Sequence, residues 1–203
     1  MPAPAAVVFD LGKVLLDFDY AILARRMAPR SRLDEAGLLR LVNQSPLLLR
    51  YETGGLSTAG FFDEIRRGSG FDGSMEEFTQ FFADIFTPIE PMILLHARLR
   101  ERGVPTYIFS NTNEIAIAHI RQMFPFFAGF TGYILSHEHR AMKPDAPLYL
   151  AVERASGFCG ADLLYIDDRA ENVEAGAARG WRCVLHQDPA ATRAAVLATG
   201  LLG

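Results

Sequence analysis

The chain has 203 residues, half of them apolar and 22% charged, with a formal net charge of −4. That is enough for one compact domain of ordinary size with a sizeable insert, and too apolar for a disordered tail. Lys and Arg are spread along the chain, which argues against a nucleic-acid partner; a phosphate would have to be met by positive charge supplied locally.

The two cysteines, Cys159 and Cys183, match no common zinc or redox spacing and are read as buried, reduced thiols. The opening MPAPAAVVFD has no basic n-region, and no stretch approaches the ~20 apolar residues of a membrane helix. A soluble, cytoplasmic protein without a membrane partner is expected; the oligomeric state stays open.

The first apolar run of strand length is Ala5–Phe9, ending at Asp10. Residues from about 18 to 88 contain no convincing strand and have helical periodicity over Tyr20–Met27, Leu33–Asn43, Thr58–Arg67 and Ser74–Phe86. Ser74 and Glu77 have capping-box spacing. Phe61, Phe62, Phe78, Phe81, Phe82 and Phe86 are expected to pack this helical bundle. After it, strands and helices alternate. Strands are expected at Thr106–Phe109, Gly132–Leu135, Leu163–Ile166 and Arg182–Leu185. Helices are expected at Pro91–Arg102, Glu114–Met123, Pro147–Ser156 and Glu171–Arg179. Such alternation predicts an α/β fold, a parallel sheet with helices on both faces. The chain then divides into an α/β core, residues 1–17 and 89–203, and a helical cap, residues 18–88, inserted after the first strand.

In open α/β sheets a ligand sits outside the carboxyl ends of the strands. Asp10, Ser110–Asn111 and Asp167–Asp168 end three of these strands, and Lys143 follows a fourth. The set suits phosphoryl transfer. A carboxylate, Asp10, can attack phosphorus and split one hard step into two. Asp10 with one or both of Asp167 and Asp168 offers hard oxygen ligands for Mg²⁺. Ser110 can donate a hydrogen bond to a phosphate oxygen, and Lys143 can act as a point charge on it. Taken singly, each residue reads as a helix cap, a turn residue or a surface lysine.

The motifs VVFDLGKVLLDFD, YIFSNTN, AMKPDAPLY and LLYIDDRAENVEAG resemble, in order and spacing, the four motifs of the haloacid dehalogenase superfamily. The resemblance covers essentially the whole chain. It implies a Rossmann-like parallel-sheet core with a small α-helical cap, and a Mg²⁺-dependent phosphatase acting on a small phosphorylated metabolite. Asp10 would be the nucleophile. Ser110, Asn111 and Lys143 would bind substrate, and Asp10, Asp167, Asp168 and the carbonyl of Gly12 would hold the metal. In the cap, RYETGGLSTAGFF resembles the Y-E-x-G segment of the bacterial sugar-phosphate branch, which includes glucose-1-phosphate phosphatases; Arg50 and Glu52 are candidate cap contributors to specificity.

Two departures stand out. Most phosphatases of this family carry an Asp two residues after the nucleophile, as proton donor to the leaving oxygen; here that position is Gly12. Asp17 and Asp19 are the nearest carboxylates, read as capping residues. The stretch before Lys143 has Arg140 where the family usually has Gly. His137 and His139 nearby are read as exposed loop histidines, and Arg25, Arg26, Arg30 and Arg32 as a solvated face. The competing readings are a metal-free 2-haloacid dehalogenase, a phosphomutase and a catalytically weak phosphate-binding regulator.

Overall fold

The computed structural model describes residues 2–43 and 45–202; Met1 and Gly203, the outer ends of the expected core, and Gln44 in the expected cap lie outside it. In chain order the elements are β1 (Ala6–Phe9), β2 (Leu16–Phe18), α1 (Tyr20–Met27), α2 (Glu35–Val42), α3 (Pro46–Glu52), α4 (Thr58–Ser69), α5 (Met75–Ala83) and β3 (Phe86–Pro88). Next come α6 (Glu90–Glu101), β4 (Thr106–Ser110), α7 (Glu114–Met123), β5 (Gly132–Leu135), α8 (Ser136–His139) and α9 (Ala146–Ser156). The chain closes with β6 (Leu163–Asp167), α10 (Ala170–Ala178), β7 (Arg182–Leu185) and α11 (Pro189–Ala198).

Five strands form one sheet in the order β5-β4-β1-β6-β7, and every neighbouring pair is parallel. The central strand β1 is covered on both sides, so its four residues are all buried and read as a continuous apolar run. Successive residues face opposite ways. Val7 and Phe9 pack with Leu95 of α6, Ile117 of α7 and Val196 of α11; Ala6 and Val8 pack with Tyr149 of α9 and Trp181.

Helices α1–α5 lie between β2 and β3, which pair antiparallel with Asp17 opposite Thr87 and Phe18 opposite Phe86. This two-stranded ribbon is the stem of the helical insert. The expected helix Ser74–Phe86 is shorter than its periodicity suggested. It keeps its capping box at Ser74 and Glu77 but stops at Ala83, because Phe86–Pro88 turn extended to pair with β2. Phe61, Phe78 and Phe82 are fully buried in the insert's own core, Phe62 nearly so, and Phe81 and Phe86 pack at its margin. Tyr51 stacks on Phe61 with ring centroids 4.4 Å apart.

Three helices were not expected: α3, α11 and the single turn α8, which was read as loop. The Leu47–Leu49 run gives α3 no amphipathic signature, although Ser45 accepts from Leu48 N at 3.1 Å and Pro46 opens the helix. Helix α11 likewise starts at Pro189 behind Asp188, which accepts from Ala190 N and Ala191 N. The cysteines are free, but Cys159 is exposed and Cys183 half-buried, which corrects the expectation of two buried thiols; Cys159 sits at the tight turn before β6. No helix among the described residues is long and apolar enough to cross a membrane.

Candidate active site

Parallel strands present their carboxyl ends along one edge. Phe9 lies opposite both Ile108 and Ile166, which sets Asp10 level with Asp167 and one residue short of Ser110. Asp10 N donates to Ile166 O at 2.9 Å, so the nucleophile candidate is held by the strand ladder itself. Asp10, Asp167 and Asp168 each offer a carboxylate oxygen, and these lie within 4.8 Å of one another.

Lys143 reaches the same point from the loop after α8. Asn111 holds that loop: its Oδ1 accepts from Lys143 N at 2.8 Å and its Nδ2 donates to Lys143 O at 3.0 Å. Asn111, expected to meet substrate, thus has both ends of its amide engaged with the Lys143 backbone. The buried Lys143 Nζ donates to Phe109 O at 2.9 Å and Asp167 Oδ2 at 2.6 Å, and lies 2.9 Å from Asp10 Oδ1. Three acceptors match its three N–H groups.

The charges decide each group's state. Burial pushes the Asp10 carboxyl up to about 7; Lys143 opposes this and Asp167 adds to it. Burial also acts to raise Asp167, but Lys143, Tyr165 and the Arg169 N–H outweigh it and hold that carboxyl below its ordinary value. Asp168 is raised by its burial and by Asp167. Burial disfavours the Lys143 ammonium, yet Asp10 and Asp167 prevail and lift it above the usual lysine value. Three carboxylates facing one ammonium leave an excess of negative charge. The donors are all hard oxygens, without His or Cys, so the set fits Mg²⁺ rather than a softer metal.

Asp167 and Asp168 differ. Asp167 is fully buried and accepts from Lys143, Tyr165 Oη, Arg169 N at 2.8 Å and Asn172 Nδ2 at 3.0 Å. Its lone pairs are largely engaged, whereas Asp168 is half-buried at the mouth. Tyr165 escaped notice in the sequence, although strand alternation places it on the same face as Asp167. Asn172 is fixed in turn: its carbonyl accepts from Tyr149 Oη at 2.8 Å. Ser110 Oγ is buried and has only a long contact, 3.4 Å, with Asn111 O, leaving its hydrogen available to a ligand.

A model of the haloacid dehalogenase-like hydrolases matches residues 4–180. The chain belongs to this family.

Among solved structures, a HAD family enzyme from Bacteroides thetaiotaomicron, in complex with magnesium and inorganic phosphate, has 22% identity and a TM-score of 0.77, with 89% of this chain and 93% of that chain covered. A predicted HAD-like family hydrolase from Porphyromonas gingivalis has the same identity and TM-score, with 95% and 98% covered. The L-2-haloacid dehalogenase of Xanthobacter autotrophicus is similar at 20% identity and a TM-score of 0.64, with 89% and 76% covered. Identities this low speak for the fold alone.

In this HAD hydrolase the place of the second motif aspartate is closed. A Cβ added at Gly12 would lie 2.9 Å from Phe18 Cε1. Gly12→Asp is therefore expected to cost about 1–3 kcal/mol of stability through overpacking. The cost should shrink in a Phe18→Ala background, which denaturant unfolding of the double-mutant cycle measures; additive costs would mean that Phe18 is not the obstacle.

Asp17 and Asp19 do not take the missing role. Asp17 is exposed, paired with Lys13 and accepting from Phe18 N, and the Lys13 hydrogen bond lowers its pKa. Asp19 caps α1 by accepting from Ala21 N at 2.8 Å. Arg140 has φ +53°, ψ +34°, the left-handed conformation that glycine adopts without strain, and its side chain is exposed. His139 is exposed as expected, but His137 is half-buried and both lie on α8 rather than in a loop. Of the cap arginines, Arg26 pairs with Asp84, and Arg30 with Asp72 and Glu77.

The cap sits down on the core. Ile115 N donates to Tyr51 Oη at 3.2 Å, Thr58 Oγ1 to Glu114 Oε2 at 2.5 Å, and Ser136 Oγ to Glu52 O at 2.6 Å. Between cap and core lies a cavity of about 50 Å³ whose walls include Gly12, Phe18, Tyr20, Glu52, Ser110 and Asn113. Its walls include Leu11 and Gly12, next in the chain to Asp10, and Ser110, but not Asp10 itself.

Proposed function

We propose that this chain is a Mg²⁺-dependent phosphatase that hydrolyses a small phosphomonoester, of the sugar-phosphate kind exemplified by glucose 1-phosphate. The observation that carries the reading is the cluster of Asp10, Asp167 and Asp168 within 4.8 Å, balanced by the single buried ammonium of Lys143. Asp10 attacks phosphorus and carries the phosphoryl group as an aspartyl-phosphate; water then hydrolyses it and returns the free carboxylate. Ser110 Oγ donates to a phosphoryl oxygen. Lys143 orients Asp10, favours its ionised form against the effect of burial and offers positive charge to the same phosphoryl group, with Asn111 fixing its backbone.

Asp10, the Gly12 carbonyl and Asp168 would hold the Mg²⁺, with Asp167 beside them chiefly fixing Lys143. When bound, the metal neutralises carboxylate and phosphate charge that would otherwise repel. The α/β core of residues 1–17 and 89–203 supplies this machinery, and the cap of residues 18–88 covers the leaving group and excludes bulk water. We place the protein in the cytoplasm, where its free cysteines stay reduced.

Hydrolysis of a panel of phosphomonoesters, with Mg²⁺ and after exhaustive chelation, tests this reading. Turnover should fall by at least ~10²-fold on chelation and return with Mg²⁺, as expected where Lewis-acid charge stabilisation is lost. Full turnover of a 2-haloacid in chelator, with none of any phosphate ester, would instead establish the dehalogenase reading.

A further inference from the structure

We propose that Glu52, at the end of cap helix α3, is the proton donor to the leaving oxygen, taking the part that Gly12 cannot play. The inference rests on the phosphatase reading above and assigns the step that reading leaves without a residue.

Three observations place it. Glu52 lines the same cavity as Gly12 and Ser110, so it borders the space beside the phosphoryl site into which a leaving group projects. Its position is held firmly: its carbonyl accepts from Ser136 Oγ at 2.6 Å, and the same Oγ accepts from Thr112 N at 2.9 Å, tying the end of α3 to the loop after β4. The carboxyl is matched to proton transfer rather than to an ion pair. The buried Asn113 lines the same cavity, and with its Oδ1 occupied by Ala116 N at 3.0 Å its amide hydrogens are left to the Glu52 side.

Of the charged and titratable groups around it, Arg169 in the loop after β6 acts only at a distance and Tyr20 of α1 is held neutral. His137 and Glu138, on the adjoining α8, line a separate groove with Tyr51. Burial pushes the Glu52 carboxyl up to about 7, against the pull of Asn113 and Arg169, so a substantial fraction carries its proton at neutral pH. Asp17 and Asp19, engaged as described, are not among the residues that line this cavity.

In the first step an Asp10 oxygen forms a bond to phosphorus and the bond from phosphorus to the leaving oxygen breaks, its electron pair staying on that oxygen. The Glu52 proton passes to it, giving a neutral alcohol and a Glu52 carboxylate. In the second step Glu52 takes a proton from the attacking water as the bond from phosphorus to Asp10 breaks, which restores both side chains and releases inorganic phosphate.

The experiment measures kcat/KM, which reports phosphorylation of Asp10, for wild type and Glu52→Gln across esters from nitrophenyl phosphate to primary alkyl phosphates, with Mg²⁺. Wild type should depend weakly on leaving-group acidity. Glu52→Gln should depend on it steeply, slowing the alkyl esters by about 10²-fold or more relative to the aryl ester, within the usual range for general acid catalysis. The ratio is taken within one preparation, so partial misfolding cancels, and the wild-type series stands even if the variant does not fold. A steep wild-type series, or equal losses on both ester classes in Glu52→Gln, would overturn the assignment while leaving the phosphatase reading intact. Absence of any ester hydrolysis by wild type would overturn both.

Discussion

Asp10→Asn is expected to abolish turnover, by at least ~10⁴-fold, while making the metal-free protein more stable at neutral pH. The loss of activity follows from removing the attacking charge: an amide of the same shape cannot form an aspartyl-phosphate, so trapping by beryllofluoride should disappear too. The gain in stability follows from the sign of the Asp10 shift. Its carboxyl is raised in the folded state to about 7 from an unfolded value of 3.8. Between those values the folded protein binds more protons than the unfolded chain, so stability is lost as pH rises through the window. Asp168, also raised, acts in the same direction, whereas Asp167, held low, contributes stability that is lost only on acidification. Thermal unfolding of chelated wild type should therefore show a fall of stability from about pH 5 to about pH 7, amounting to a few kcal/mol at most. Most of that fall should be absent in Asp10→Asn, and Mg²⁺ should reverse it in wild type. A wild-type stability that rises across this range in chelator would contradict the picture of Asp10 as a buried, crowded carboxylate.

Lys143→Met should have the second largest effect, in the opposite direction. The ammonium holds two carboxylates that are 10% and 0% exposed, at 2.9 and 2.6 Å. Removing it leaves both facing each other in a dry site. Breaking a buried pair in this way costs about 3–5 kcal/mol, so chelated Lys143→Met should unfold well below wild type. Added Mg²⁺ should rescue it disproportionately, because a competing cation has gone from among the same oxygens. Calorimetric titration should then show tighter Mg²⁺ binding than in wild type, with weaker inorganic phosphate binding and turnover reduced by ~10²-fold or more. Unchanged stability in chelator together with unchanged phosphate binding would remove Lys143 from the site.

Most of the α/β core was legible in the sequence, because its elements are specified locally. Apolar runs of strand length marked Gly132–Leu135 and Arg182–Leu185 to the residue, and the helical spacing of Ile115, Ile117, Ile120 and Met123 marked Glu114–Met123, whose cap, Asn113, only the structure identified. Asp10, Ser110, Asp167 and Asp168 were candidates for the same reason: a polar residue at the carboxyl end of a buried strand is conspicuous in one dimension, and parallel pairing carries such ends to one edge, while Lys143 was a candidate as the lysine that follows the strand Gly132–Leu135.

Only the tertiary structure decided what each of them touches. Asn111 turned out to clamp Lys143, Tyr165 to support Asp167, and Asp167 and Asp168 to differ in how many hydrogen bonds each accepts. The ribbon of β2 with β3 joins residues about seventy positions apart, and strand pairing over that distance leaves no local period to read. Phe18 closes the space beside Gly12, and Glu52, forty residues further along the chain, is brought to the same cavity from the cap. A sequence displays residue types and their periodicity. Contacts between a cap and a core depend on how two separately folded layers dock, and that geometry is settled by the packing of the whole chain.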